Sequence, residues 1–272
     1  MTTLKQATPV HTFLAMLARD VRVLRREMFT FLSRTLMQPL FFVFVFAYVM
    51  PRIGGGDGFG RVAGVSFATV LVPGMLSTTM FISGLMAVTV PLMMELSYNN
   101  EIEDRLLAPA PVWLLGLAKI SSGAVQALIG ALVVFPVVYF VHESAQPPQI
   151  DLTDWPLLTV VLVVSSVLSA GLGLLMGTML DIRKSNVLFS LVTVPLTMLG
   201  CVYYPWAALQ STQWLQIAVL VNPLVYSSEG LRTALTPAMP HMPTWSFLLV
   251  LLGGTTGVVW LALQSFARKV RR

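Results

Sequence analysis

Residues 155–180 read WPLLTVVLVVSSVLSAGLGLLMGTML. The run carries no charged side chain and exceeds the roughly 20 residues that a helix needs to cross about 30 Å of hydrocarbon. A helix closes all its own backbone hydrogen bonds, so in lipid such a run reads as a spanning helix. Working outward, five more apolar runs follow the same logic: 29–50, 62–94, 120–141, 187–203 and 245–266. Two of them are irregular. Residues 62–94 are too many for one upright span: either the run breaks at Pro73-Gly74 or Pro91, or part of it lies outside the bilayer. Residues 187–203 are few and contain Pro195. Pro39 also falls inside the first run, where a kink is expected. The expected fold is all-α: a polytopic membrane protein with six transmembrane helices.

Composition agrees. Of 272 residues, 56% are hydrophobic and 11% charged, against about 25% charged in soluble chains. The mean hydropathy of +0.79 excludes an ordinary soluble domain, which would expose large apolar patches to water. The net charge of +5 and pI near 9.7 raise the question of nucleic acid. The cations instead sit beside apolar runs, where they orient membrane spans, so no nucleic-acid partner is expected. The lone Cys201 excludes an intrachain disulfide, and no cleavable signal peptide is expected in residues 1–28.

Orientation follows from those cations. With the N-terminus inside, Lys5, Arg19, Arg22, Arg25, Arg26, Arg34, Arg105, Lys119, Arg183, Lys184, Arg268, Lys269, Arg271 and Arg272 are cytoplasmic. Arg52, Arg61 and Arg232 lie outside. This bias places both termini in the cytoplasm. Trp155, Trp206, Trp214 and Trp245 then fall near the outer interface, where indole rings settle. Ahead of the first span, Phe13, Leu14, Leu17, Val21 and Leu24 recur at helical spacing beside arginines. Residues 1–28 therefore read as an amphipathic segment lying on the cytoplasmic membrane surface. Residues 29–266 form the transmembrane domain and 267–272 a basic cytoplasmic tail.

Two connections stand out. The cytoplasmic loop 95–119 is the most acidic stretch, with Glu95, Glu101, Glu103 and Asp104 ahead of Arg105, Leu106, Leu107, Ala108 and Pro109. Residues 99–107 can form a short surface helix, acidic at its N-terminal end as the dipole prefers and ending before Pro109. It reads either as a solvated connector or as a docking knob for a cytoplasmic partner. The outer segment 204–244 is long, yet apolar over 215–221 and around Asn222, Pro223 and Tyr226. It is too interrupted to span, and two short helices dipping into the outer leaflet would satisfy its backbone if packed on protein. Within it, Glu229 and Arg232 stand at i,i+3, a spacing that lets helical side chains meet.

These residues carry a resemblance. Glu101-Ile102-Glu103-Asp104-Arg105-Leu106-Leu107-Ala108-Pro109, followed by Lys119, resembles the inner-loop signature of the type-2 ABC exporter permeases. Asn222-Pro223-Leu224-Val225-Tyr226 with Glu229-Gly230-Leu231-Arg232 resembles that family's element before the last span. The resemblance implies a membrane subunit for drug, lipid or lipid-linked glycan export, lodged in the cytoplasmic (inner) membrane. It implies two separate ABC ATPase subunits and a second permease copy or homologue as partners, with membrane lipid around them. It implies that Glu95 and residues 101–109 couple to the ATPase, and that the outer segment is re-entrant. No cofactor is expected on this chain; ATP and magnesium belong to the partner ATPase.

Other chemistries fit less well. No Gly-x-x-x-x-Gly-Lys-Ser/Thr loop is present, so the chain reads as a transport subunit without its own ATP site. Gly54-Gly55-Gly56-Asp57 formally matches Gly-x-Gly-Asp, but Asp57 has no second membrane-embedded Asp with which to share a proton. His11, His142 and His241 lack metal-ligand spacing. An ion-coupled secondary transporter is the alternative, but the centres of the six runs hold essentially none of the ionisable groups such carriers bury. Gly173/Gly177 and Gly253/Gly257 both fit Gly-x-x-x-Gly helix contacts. Met75, Met80, Met86, Met93 and Met94 could line an adaptable path.

Overall fold

The computed structural model describes residues 9–49, 61–62, 65–96, 111–141, 148–180 and 185–270. Glu101, Glu103, Asp104, Arg105, Leu106, Leu107, Ala108 and Pro109 lie outside the described residues. So do Lys5, Arg52, Asp57, His142, Arg183, Lys184, Arg271 and Arg272. Helix α1 (Pro9–Arg26) carries its apolar residues on one stripe. Glu27 alone separates it from α2 (Met28–Val43), which holds Pro39 and widens into a π-helical turn over Phe44–Val49. Next come α3 (Phe67–Met94), α4 (Val112–Phe140), α5 (Trp155–Met179) and α6 (Ser185–Met198). Shorter elements follow: a 3₁₀ turn Trp206–Ser211, α7 (Gln213–Ala218), a second 3₁₀ turn Val219–Val221 and α8 (Pro223–Leu235). The last helix is α9 (Thr244–Val270). The only strands among the described residues are β1 (Arg61–Val62) and β2 (Val65–Ser66), a two-residue antiparallel pair leading into α3. The chain is thus an all-α polytopic membrane protein.

Five of these helices are long and apolar enough to cross a membrane: the α2 unit Met28–Val49, α3, α4, α5 and α9. Within the run expected as a fifth span, 187–203, the described helix is α6, which ends at Met198; residues 181–184 ahead of it lie outside the described residues. The expected breaks at Pro73 and Pro91 do not occur, because α3 continues through both. Residues 112–119, expected in the inner loop, form the first two turns of α4. Pro111 stands at the extended N-cap there, a position that tolerates proline's missing N–H.

Helix α3 is the central post. Protein covers 78% of its most apolar stretch, against 11% for α2 and 22% for α9. It packs on α4, α5 and α8. Close approach to α5 depends on the Gly173/Gly177 pair: a Cβ on Gly173 would stand 2.6 Å from the Leu85 carbonyl, and one on Gly177 2.9 Å from the Leu92 side chain. Thr89 Oγ1 donates to the Gly173 carbonyl at 2.9 Å across the same seam. The pair Gly253/Gly257 has nothing within 4 Å, so the same motif makes no helix contact within the described residues.

Candidate functional site

At its C-terminal end α3 closes on Glu95, and α4 presents Lys119 about two turns from its start. Lys119 Nζ donates to Glu95 Oε2 at 2.6 Å, with the two side chains only 15% and 12% exposed. This pair joins the C-terminal end of α3 to the first turns of α4 at the two boundaries of the loop read from sequence as 95–119. Beside it a cavity of about 560 Å³ opens between α1, α2, α3 and α4.

Toward the opposite end of α3, α8 supplies the polar groups. Asn222 is its N-cap, with Oδ1 accepting from Leu224 N at 3.0 Å, and Pro223 fills N1, where no N–H is needed. Glu229 and Arg232 form a side-chain ion pair with no exposed surface. Glu229 Oε1 also accepts from the Trp206 N–H at 2.9 Å, and Oε2 from the Met242 N–H at 3.0 Å. Arg232 Nη2 donates to the Cys201 carbonyl at 2.9 Å. The pair therefore ties α8 to three separate stretches of chain.

The last carbonyls of any helix lack intrahelical donors and are costly to leave unpaired away from water. At the end of α6, Asn222 Nδ2 donates to Leu196 O at 2.7 Å. Just past it, Ser228 Oγ donates to Gly200 O at 2.7 Å. With the Arg232 bond to Cys201, side chains at and beyond the N-cap of α8 thus hold one of the last carbonyls of α6 and two of the turn that follows. Cys201 turns the chain with a φ of 50°, a left-handed value that non-glycine residues seldom adopt. The next carbonyl, of Val202, lies against Gly74 of α3, where any Cβ would collide with it. Tyr226 Oη donates to Leu220 O at 2.7 Å, and Trp206 Nε1 to Gln216 O at 3.1 Å. Outside the spans, Asp151 N donates to Leu235 O at 2.8 Å. The Thr153 hydroxyl and N–H hold the Asp151 carboxyl below the usual carboxylate range.

Asn222, Pro223, Tyr226, Glu229 and Arg232 thus share one buried helix. Glu95 lies at the other end of α3 from Gly74, about 30 Å away by helical rise. Sequence reasoning missed Trp206, Met242, Cys201 and Gly200 as partners. They contribute backbone groups, which leave no mark on residue type. Ser228 had no signal beyond its place beside Glu229.

Comparison with known proteins is consistent with this arrangement. A family described as "ABC-2 type transporter" matches residues 11–236, which takes in α1 through α8. The chain is 26% identical over 247 residues to the inner membrane transport permease YadH of Escherichia coli (strain K12), covering 89% of this chain and 90% of that protein. The same identity and coverage hold for the YadH permease of Shigella flexneri. With that family model matching residues 11–236, this chain belongs to the ABC-2 type transporter family of membrane permeases.

Proposed function

We propose that this chain is the membrane-spanning subunit of an exporter that moves an amphipathic substrate, a drug, lipid or lipid-linked glycan, outward across the cytoplasmic membrane. Hydrolysis of ATP on two separate ABC ATPase subunits drives it, and a second permease copy or homologue completes the path. Both termini are cytoplasmic. The inner-membrane designation of the YadH permease supports the location. The observation that carries the mechanism is the Glu95–Lys119 bridge. An ATPase pressing on residues 101–109 pushes on two helices whose ends are clamped together, so the push reaches the long, buried α3 instead of being absorbed in the connection. Helix α3 in turn carries the Gly74 seat of the outer turn. Movement at the inner end thereby reaches α8, read here as the re-entrant element beneath the outer gate. Glu229 and Arg232 pair with each other and with backbone groups inside the protein, which favours a structural strut over the exchangeable proton site of an ion-coupled carrier.

The test is reconstitution in vesicles with its cognate ABC ATPase. Efflux should require ATP hydrolysis, and Glu103→Lys with Asp104→Lys should abolish ATPase co-purification while membrane insertion persists, because reversed charges disfavour a specific interface. Efflux driven by a proton or sodium gradient alone would sink the proposal.

A further inference from the structure

The 560 Å³ cavity between α1, α2, α3 and α4 is of the size that holds a small amphiphile. Its charges are grouped at one end. Arg19 faces Asp20 at 3.7 Å and Lys119 is bound to Glu95, so each of these four has an oppositely charged neighbour. Two charges remain on the α2 side, Glu27 and Arg34, and neither has an ion-pair partner among the described residues. Glu27 is the N-cap of α2, yet its carboxylate makes no capping bond. Arg34 lies about 10 Å further along the helix, two turns on, on the same face.

The wall beyond Arg34 is uncharged. A Cβ on Gly130 would stand 3.0 Å from Ser83 Oγ and 3.6 Å from Thr35 Cγ2, so α2, α3 and α4 share one level at the residue after Arg34. Past that level, toward the far leaflet, the cavity is lined by Gln38, Pro39, Met75, Thr79 and Ile82. Only 11% of the apolar stretch of α2 is covered by protein, so a molecule filling the cleft would supply packing that α2 lacks. In order of depth the cavity therefore offers an anion at the water boundary, a cation deeper in, and then a slot free of charge. A lipid headgroup with a terminal ammonium has the complementary order: ammonium nearest water, phosphate next, acyl chain innermost. Guanidinium suits phosphate geometrically and through charge-assisted hydrogen bonds. A carboxylate in turn accepts hydrogen bonds from a primary ammonium.

We propose that this cleft holds one resident zwitterionic phospholipid of the phosphoethanolamine type. Its phosphate sits on Arg34, its ammonium on Glu27 and one acyl chain lies along α3. That the lipid comes from the cytoplasmic leaflet rests on the orientation proposed above; the binding itself rests on no transport activity.

The test uses the full chain, delipidated in mild detergent, with dioleoyl phosphatidylethanolamine and dioleoyl phosphatidylglycerol as probes and native mass spectrometry as the readout. The wild type should hold one phosphatidylethanolamine per chain, about tenfold more tightly than phosphatidylglycerol, the scale of one charged hydrogen bond. Arg34→Gln should weaken both lipids by about tenfold or more. Glu27→Gln should remove the preference between them, and Ile82→Trp should exclude both by filling the slot. Equal affinity of the wild type for the two lipids would overturn the proposal without recourse to any variant, and so would unchanged binding in Arg34→Gln. No ATP or ATPase enters the measurement, so failure here is distinguishable from failure of the exporter reading.

Discussion

Glu229 and Arg232 lie one helical turn apart on α8, joined side chain to side chain, and neither exposes any surface. Their remaining bonds are polarised. The carboxylate accepts from the N–H groups of Trp206 and Met242, and the guanidinium donates to the carbonyl of Cys201. The pair is therefore more than two charges neutralising each other: each is also matched to backbone dipoles of fixed sign.

Breaking it from either side should be costly. Glu229→Gln and Arg232→Gln each leave a buried partner uncompensated, a loss of about 3–5 kcal/mol. Both variants should show a lowered thermal midpoint and reduced transport per molecule in the membrane. Exchanging the residues, Glu229→Arg with Arg232→Glu, should not restore function, because the cation would then face N–H donors and the anion a carbonyl. Recovery in the exchanged variant, measured against either single one, would show that mutual attraction is the whole effect.

The inner clamp should behave as a coupled pair. Glu95→Gln or Lys119→Gln leaves one charge in a site only 12–15% exposed. Each change should cost about 1–3 kcal/mol, between the exposed and buried limits. The double variant should be less damaged than the sum of the two. A double-mutant cycle on stability and on ATP-driven efflux reads this coupling; strict additivity would count against the clamp.

Gly74 should tolerate no side chain. Gly74→Ala puts a methyl into the Val202 carbonyl, an overpacking of about 1–3 kcal/mol. The outer turn should lift from α3, seen as faster labelling of buried Cys201 by a thiol reagent. Gly253→Ala, at a position with nothing within 4 Å, should leave labelling unchanged. Equal labelling of wild type and Gly74→Ala would show that the turn does not depend on this seat.

Topology is testable with a reporter active only outside the cytoplasm. Fusions at Asp57 and Gln146 should be active and one after Arg272 silent. An active C-terminal fusion would overturn the proposed orientation.

The features legible in sequence are those set by local chemistry. Spanning helices announce themselves because crossing hydrocarbon requires a minimum run of apolar residues; α5 and α9 follow their runs closely. The amphipathic stripe of α1 shows in the spacing of Phe13, Leu17, Val21 and Leu24. The meeting of Glu229 with Arg232 follows from i,i+3 geometry alone. What depends on residues far apart along the chain was decided only by tertiary structure. Local apolarity suggested a fifth run of 187–203, but α6 stops at Met198; Asn222 takes up its Leu196 carbonyl, and Ser228 and Arg232 of a later helix hold the Gly200 and Cys201 carbonyls of the turn beyond it. Gly173/Gly177 and Gly253/Gly257 are the same motif in sequence. Only the first meets a neighbour among the described residues, because a missing Cβ permits close approach but does not say what approaches. Pro73 marks a break by local rules, yet α3 runs through it. The surrounding helices and the seated Val202 turn leave that segment one place in the packing, and local preference yields to it.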